Sequence, residues 1–366
     1  MSSPVNNIRQ ALSLCLFALL FSCGPSFAEL IERRTSNSFA STQAMEVFFA
    51  TVRSTNPAAQ VACSNAYFMV FGNQVQKTGS CVVSVPADRE VGEIPFGLGG
   101  KDKFFQFLEH RINAGNLSVE ESENLWWKKI EADPFEEIIV FVHGFNVGFE
   151  EAILRAAQLK YDLKFPGRVV TFTWPAGGDA SLLSSLLLKN TYEKNMISAR
   201  SSRESFKIFL KRMIKTGKKI HLLVHSMGHQ VALNSIAEIA KESSNSFIHE
   251  LVLNAPDYET GEFILLLDPL LRSSSRITLY CSPGDSALLA SSQIHQAGRL
   301  GSCSKFPGID VVNVNPIDSS MISLGHGYYS SRPILTDLYQ LFLGVKADKR
   351  LFIRRSYGNE NYILRN

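Results

Sequence analysis

Charge is scarce in this chain: Asp, Glu, Lys and Arg make up 19% of its 366 residues, and the formal net charge is only +3. So small a surplus argues against nucleic acid as a partner. No internal repeat and no low-complexity tract is present, which argues against a solenoid or a disordered linker protein. No His-Glu-x-x-His motif occurs, and His225 and His229, which invite a metal reading, have no carboxylate or cysteine at ligand spacing, so neither a metal nor another cofactor is expected. The apolar run at the N-terminus, Ala11 to Phe21, is too short to span a bilayer. What the chain does have is a 45% share of hydrophobic residues, enough for a large core in one big domain or two small ones.

The first 28 residues stand apart. Arg9, the apolar run and the small residues ending at Ala28 resemble a secretory signal cleaved before Glu29. Leu20-Phe21-Ser22-Cys23 also resembles a bacterial lipoprotein signal with Cys23 as the lipidated residue. The expected location is therefore periplasmic or secreted, with an envelope lipoprotein as the alternative. A short buried N-terminal helix is the plain reading of the same residues. Export would leave Cys63, Cys81, Cys281 and Cys303 in an oxidising compartment. Neither sequence-adjacent pair has metal-type spacing, so Cys63 is expected to bridge Cys81, and Cys281 to bridge Cys303; four free thiols are the alternative. The basic residues from Lys207 to Lys219 read as a solvated helix face, and residues 346–366 as a basic tail.

From residue 134 to 345, strand-like runs alternate with helical patterns, the signature of parallel strands joined by crossover helices in an α/β fold. Strands are expected at Glu137–Val142, Arg168–Thr173, Lys219–Val224, Glu250–Asn254, Arg276–Cys281 and Ile309–Val314. Runs such as Ile138-Ile139-Val140-Phe141-Val142, apolar on both faces, suit strands covered by helices on each side. Residues 29–133 read as antiparallel edge strands of the same sheet, at Met45–Arg53, Tyr67–Phe71 and Ser80–Val85, with a helix at Phe104–Ile112. A separate small β domain is the alternative.

Val224-His225-Ser226-Met227-Gly228 sits between an expected strand and an expected helix, with a serine at the apex. That is the context of a nucleophile elbow. A serine hydroxyl is a poor nucleophile, so catalysis needs it lifted clear of its neighbours, paired with a histidine and faced by N–H groups that bind the oxyanion. Gly228 supplies one small residue, but Val224 stands where the Gly-x-Ser-x-Gly pattern has its first glycine. An ordinary helix N-cap serine is the plain alternative.

The other roles fall at strand ends, where a parallel sheet brings side chains to one edge. His326, in a glycine-flanked loop after the last strand, is the expected base. Asp285, in Cys281-Ser282-Pro283-Gly284-Asp285, is the favoured acid because the Cys281–Cys303 bridge would staple its loop; Asp257, in Asn254-Ala255-Pro256-Asp257, is the alternative. Either aspartate also reads as a turn residue or helix cap. The loop His143-Gly144-Phe145-Asn146 lets the backbone approach a ligand closely. With an elbow of this kind the second oxyanion donor comes from such a loop, so the N–H groups of Phe145 and Met227 are assigned to the oxyanion hole. His143, Gly144 and Trp174 are expected to line the substrate site, with ordinary core as the alternative for Trp174.

Several linked motifs then carry a resemblance. Met45-Glu46-Val47-Phe48-Phe49-Ala50-Thr51-x-Arg53, Val91-Gly92-Glu93-Ile94, Phe141-Val142-His143-Gly144-Phe145-Asn146-Val147-x-Phe149-Glu150, Phe172-x-Trp174-Pro175, His225-Ser226-Met227-Gly228 and Ala255-Pro256-Asp257 are similar to a bacterial esterase/lipase-like family. That family is an α/β-hydrolase domain of unknown function, and the similarity runs from about Met45 to about Gly344. The resemblance implies an α/β-hydrolase fold and a Ser-His-Asp triad, and it implies no particular substrate. The expectation is a serine hydrolase that cleaves a carboxylic ester, small or lipid, through an acyl-enzyme. An acyltransferase with the same triad and a non-catalytic envelope binding protein are the alternatives. The sequence carries no signal for acyl length, head group or oligomeric state.

Overall fold

The computed structural model describes residues 42–95, 103–112, 118–177, 185–315, 326–328, 331–356 and 361–365. The stretch expected to be an N-terminal signal, Cys23 included, lies outside the described residues. The strands are β1 (Thr42–Thr55), β2 (Phe68–Pro86), β3 (Gln106–Ile112), β4 (Glu137–Val142), β5 (Arg168–Thr173), β6 (Lys219–His225), β7 (Ile248–Asn254), β8 (Ser274–Cys281), β9 (Asp310–Asn313), β10 (Ile353–Arg355) and β11 (Tyr362–Leu364). They form one sheet in the order β10-β11-β9-β8-β7-β6-β4-β5-β1-β2-β3. All neighbouring pairs from β11 to β1 are parallel; β2, β3 and β10 run antiparallel to their neighbours.

Alternation along each strand feeds two cores, as expected for a sheet covered on both faces. In β4, Ile138, Val140 and Val142 join one cluster, while Ile139 and Phe141 join the other. The first face packs against α1 (Val119–Glu131), α3 (Ser185–Ser201), α4 (Arg203–Lys215), α5 (His229–Glu242) and α6 (Thr260–Ser273). The second packs against α2 (Phe149–Asp162) and α8 (Arg332–Phe342). A further helix, α7 (Ser286–His295), begins at Asp285. Local signals set several boundaries. Ser118 and Glu121 form a reciprocal capping box at the start of α1, and Glu150 and Glu151 occupy the first turn of α2, where the helix dipole favours them.

Two stretches differ from the sequence reading. Residues Phe104–Ile112, expected as a helix, instead contain β3, which pairs with β2 from Ser84–Gln106 to Gly79–Ile112. Gln, Leu, Glu, His and Arg there are good or neutral helix formers, but Phe105 and Phe107 pack on the core while Leu108 faces solvent. That is a period of two, and tertiary pairing overrides propensity. Residues 346–366, read as a basic tail, place buried Ile353, Tyr362 and Leu364 in β10 and β11, with β11 beside β9.

Both disulfides are local: Cys63–Cys81 and Cys281–Cys303. They suit an oxidising, exported environment. Among the described residues no helix is long and apolar enough to cross a membrane.

Candidate active site

The chain runs from β4 to β5 on one side and then returns to place β6 on the other side of β4. Ligands of open α/β sheets bind at such a switch point, outside the carboxyl ends of the strands. The loop after β4 and the turn after β6 meet there. Ser226 opens a 3-10 turn, Ser226–Gly228, between β6 and α5, and its φ is 51°. A left-handed serine is strained and survives only where its surroundings impose it. The clearance comes from two glycines. A Cβ on Gly228 would stand 2.5 Å from the His143 carbonyl oxygen, and one on Gly144 would stand 2.7 Å from the Ser226 Cβ. Val224, at the position where a glycine was looked for, is an ordinary buried strand residue opposite Val142 and Leu253.

Three of the sequence-derived residues converge. The His326 Nε2 lies 2.7 Å from the Ser226 Oγ, and its Nδ1 lies 2.6 Å from the Asp285 Oδ2. The carboxylate can only accept, so Nδ1 carries the proton and Nε2 is free to accept from the serine hydroxyl. Asp285 is fully buried, and it takes two more bonds: the Tyr328 hydroxyl donates to Oδ2 at 3.1 Å and the Leu288 N–H to Oδ1 at 3.0 Å.

Asp257 is buried in a separate network. Its Oδ2 accepts from the Tyr192 hydroxyl at 2.7 Å, its Oδ1 accepts from the Ser291 hydroxyl at 2.6 Å, and Arg299 stands 3.4 Å away as an ion partner. Burial and the Asp257 charge hold the Tyr192 phenol above its ordinary pKa, so it stays a donor. The Asp257 N–H donates to the Ser226 carbonyl at 3.3 Å; this aspartate braces the elbow through its backbone.

The loop after β4 rests on a buried pair. His143 and Trp174 stack at 5.1 Å. The Trp174 backbone N–H donates to the His143 Nε2 at 3.2 Å, and the Trp174 indole N–H donates to the His143 carbonyl at 2.9 Å. Burial, assisted by the positive charge of Arg53, holds His143 neutral with a pKa of about 3. The Nδ1–H is then left to donate to the Gly144 carbonyl at 3.0 Å. Both rings are sealed from solvent, beneath the loop. Further along, the Asn146 N–H donates to the Asn195 Oδ1 at 3.1 Å. The Phe145 N–H has no acceptor among the described residues.

Residues 119–345 match the family described as alpha/beta hydrolase of unknown function, DUF900. The chain belongs to that family. No match is found among curated proteins or solved structures.

In this α/β hydrolase the histidines flanking Ser226 are braces. The His225 Nε2–H donates to the His326 carbonyl at 3.1 Å, and the His229 Nδ1–H donates to the Ser226 carbonyl at 2.7 Å. Burial pushes both well below the ordinary imidazole range, His229 to about 3, so each is neutral. Among the described residues no group of His, Cys, Asp and Glu could hold a metal ion. Sequence reasoning missed the roles of Tyr192, Asn195 and Tyr328. Each acts through a polar contact between elements far apart in the chain, which no local pattern encodes.

Proposed function

We propose that the protein is an exported serine hydrolase that cleaves carboxylic esters, small-molecule or lipid, through an acyl-enzyme. The observation that carries the reading is the unbroken chain from the Ser226 Oγ to the His326 Nε2 and from the His326 Nδ1 to Asp285. Ser226 attacks the carbonyl carbon while His326 takes its proton; His326 then returns that proton to the departing alcohol, and water repeats the cycle on the acyl-enzyme. Asp285 fixes the tautomer and stabilises the imidazolium. The N–H groups of Phe145 and Met227 receive the oxyanion. Asp285 is preferred to Asp257 as the acid because both Asp257 oxygens are occupied elsewhere. His143 and Trp174 act on substrate indirectly in this reading, as the buried support of the loop that carries Gly144 and Phe145. The two disulfides favour export, and the N-terminal sequence favours either signal cleavage after Ala28 or lipidation at Cys23.

A fluorophosphonate probe is the direct test. Wild-type protein is expected to be labelled at Ser226 and to hydrolyse short p-nitrophenyl esters. Ser226→Ala is expected to lose labelling and to lose turnover on the order of 10^6-fold, with its fold intact by circular dichroism. Absence of wild-type labelling, or an alanine variant that keeps its activity, overturns the reading.

A further inference from the structure

Arg53 stands at the end of the motif Met45-Glu46-Val47-Phe48-Phe49-Ala50-Thr51-x-Arg53, and the chemistry above makes no use of it. Its side chain is fully buried. The Nε–H donates to the Thr173 Oγ1 at 2.9 Å, one terminal nitrogen donates to the carbonyls of Ala176 at 2.9 Å and Met69 at 3.3 Å, and the other donates to the Val147 carbonyl at 2.8 Å. One planar fork thus ties the loop after β4 to the segment after β5 and to the start of β2. Among the described residues no carboxylate pairs with it. Glu151, whose charge acts on it from a distance, is hydrogen-bonded to Asn65. A buried cation that is hydrogen-bonded but lacks an ion pair still carries a desolvation cost of several kcal/mol.

We propose that Arg53 is a positioning residue of the oxyanion hole: by gripping the Val147 carbonyl it sets the Phe145 N–H two residues upstream, and it leaves a buried positive charge, in direct contact with no described carboxylate, behind the site where the oxyanion forms. The proposal rests on the hydrolase reading. Two observations support it. The loop is held before Phe145 by the buried His143–Trp174 pair and just after it by Asn195 on the Asn146 N–H, and Arg53 adds the next fixed point on that far side, at the Val147 carbonyl. The field of Arg53 also reaches this loop, since it helps to keep His143 uncharged. A positive charge in a dry site favours the tetrahedral oxyanion over the neutral ester, so its contribution belongs to the transition state and not to ground-state binding.

The test compares wild type, Arg53→Met and Arg53→Lys for hydrolysis of a p-nitrophenyl ester, for the rate of fluorophosphonate labelling, and for amide hydrogen exchange over residues 144–148. Arg53→Met is expected to lose about 10²-fold in kcat and in labelling rate, with KM changed less than about threefold and faster exchange in the loop. Arg53→Lys keeps the charge but not the fork. It is expected to recover about tenfold in kcat while loop exchange stays fast. Should Arg53→Met fail to fold, Thr173→Val, which removes the Nε acceptor together with the 3.2 Å hydroxyl contact to Thr51 and leaves the other Arg53 bonds in place, is expected to show the same split with a loss of about tenfold. The proposal is overturned by unchanged loop exchange, by a loss that appears in KM instead of kcat, or by a lysine variant no better than methionine. A wild type that labels nowhere instead defeats the hydrolase reading, and the proposal falls with it.

Discussion

The carboxylate of Asp285 divides its two oxygens between His326 and the helix behind it. Oδ2 receives the His326 Nδ1–H at 2.6 Å while Oδ1 caps α7 at the Leu288 N–H. The cap locks the side chain in the rotamer that the histidine needs, and the Tyr328 hydroxyl adds a third bond. In the proposed triad, an acid held this way spends no entropy on finding its partner during turnover.

Replacing the two aspartates in turn separates their roles. Asp285→Asn is expected to lower kcat by roughly 10^4, because an amide favours the wrong imidazole tautomer, and to keep most stability, because asparagine still caps a helix. Asp257→Asn leaves Arg299 buried beside a neutral group, so a stability loss of about 3–5 kcal/mol is expected, with kcat within about tenfold for the folded fraction. Denaturant titration and esterase kinetics on both variants check this; the opposite ranking of rates makes Asp257 the acid.

The glycines beside the elbow are expected to differ in what they cost. Gly228→Ala pushes a methyl group against the backbone carbonyl of His143, which cannot yield, so a loss of about 1–3 kcal/mol is expected along with activity. Gly144→Ala presses on the Ser226 Cβ and is expected to slow fluorophosphonate labelling at least tenfold with little change in Tm. Equal labelling of Gly144→Ala and wild type rules out that crowding.

Breaking the two disulfides is expected to have unequal effects on activity. Each closes a short loop, with sequence separations of 18 and 22, so loss of either costs about 3 kcal/mol. Only Cys281–Cys303 brackets Asp285, and there the Ser282 N–H also donates to the Gly301 carbonyl. The double variant Cys281→Ala, Cys303→Ala is expected to lose about tenfold in kcat beyond its loss of stability; the Cys63, Cys81 pair is expected to lose stability alone. Kinetics well below each Tm decide it.

Stability is expected to fall as pH drops below about 6.5. His143 and His229 are buried and neutral, each with a pKa held down to about 3. Between about 3 and the unfolded value of about 6.5 the unfolded chain binds more protons than the native one. Their contribution is therefore complete above pH 6.5 and is lost on acidification, at about 1.4 kcal/mol per histidine for each pH unit. His225, shifted the same way by burial, adds to the slope. Urea midpoints at pH 8, 6.5 and 5 read it directly, and a flat profile contradicts the buried neutral histidines.

Sequence by itself determined the parallel strands, because runs such as Ile138 to Val142 are apolar on both faces and only a covered central strand satisfies that. It also determined the serine at a strand-to-helix turn and the local disulfides, since each is a signal within a few residues or a short loop, and it singled out His326 after β9, although β10 and β11 follow it in the chain. Tertiary structure alone decided which aspartate faces His326. Asp257 and Asp285 follow neighbouring strands at the same sheet edge, and only the partners that converge on each, Tyr192, Ser291 and Arg299 or Leu288 and Tyr328, distinguish them. It likewise decided that Phe104–Ile112 contains a strand, because a ladder with β2 outweighs the helix propensity of its residues. The burial of Arg53 is of the same kind: its acceptors at Met69, Val147, Thr173 and Ala176 lie on separate segments that only the folded sheet brings to one point.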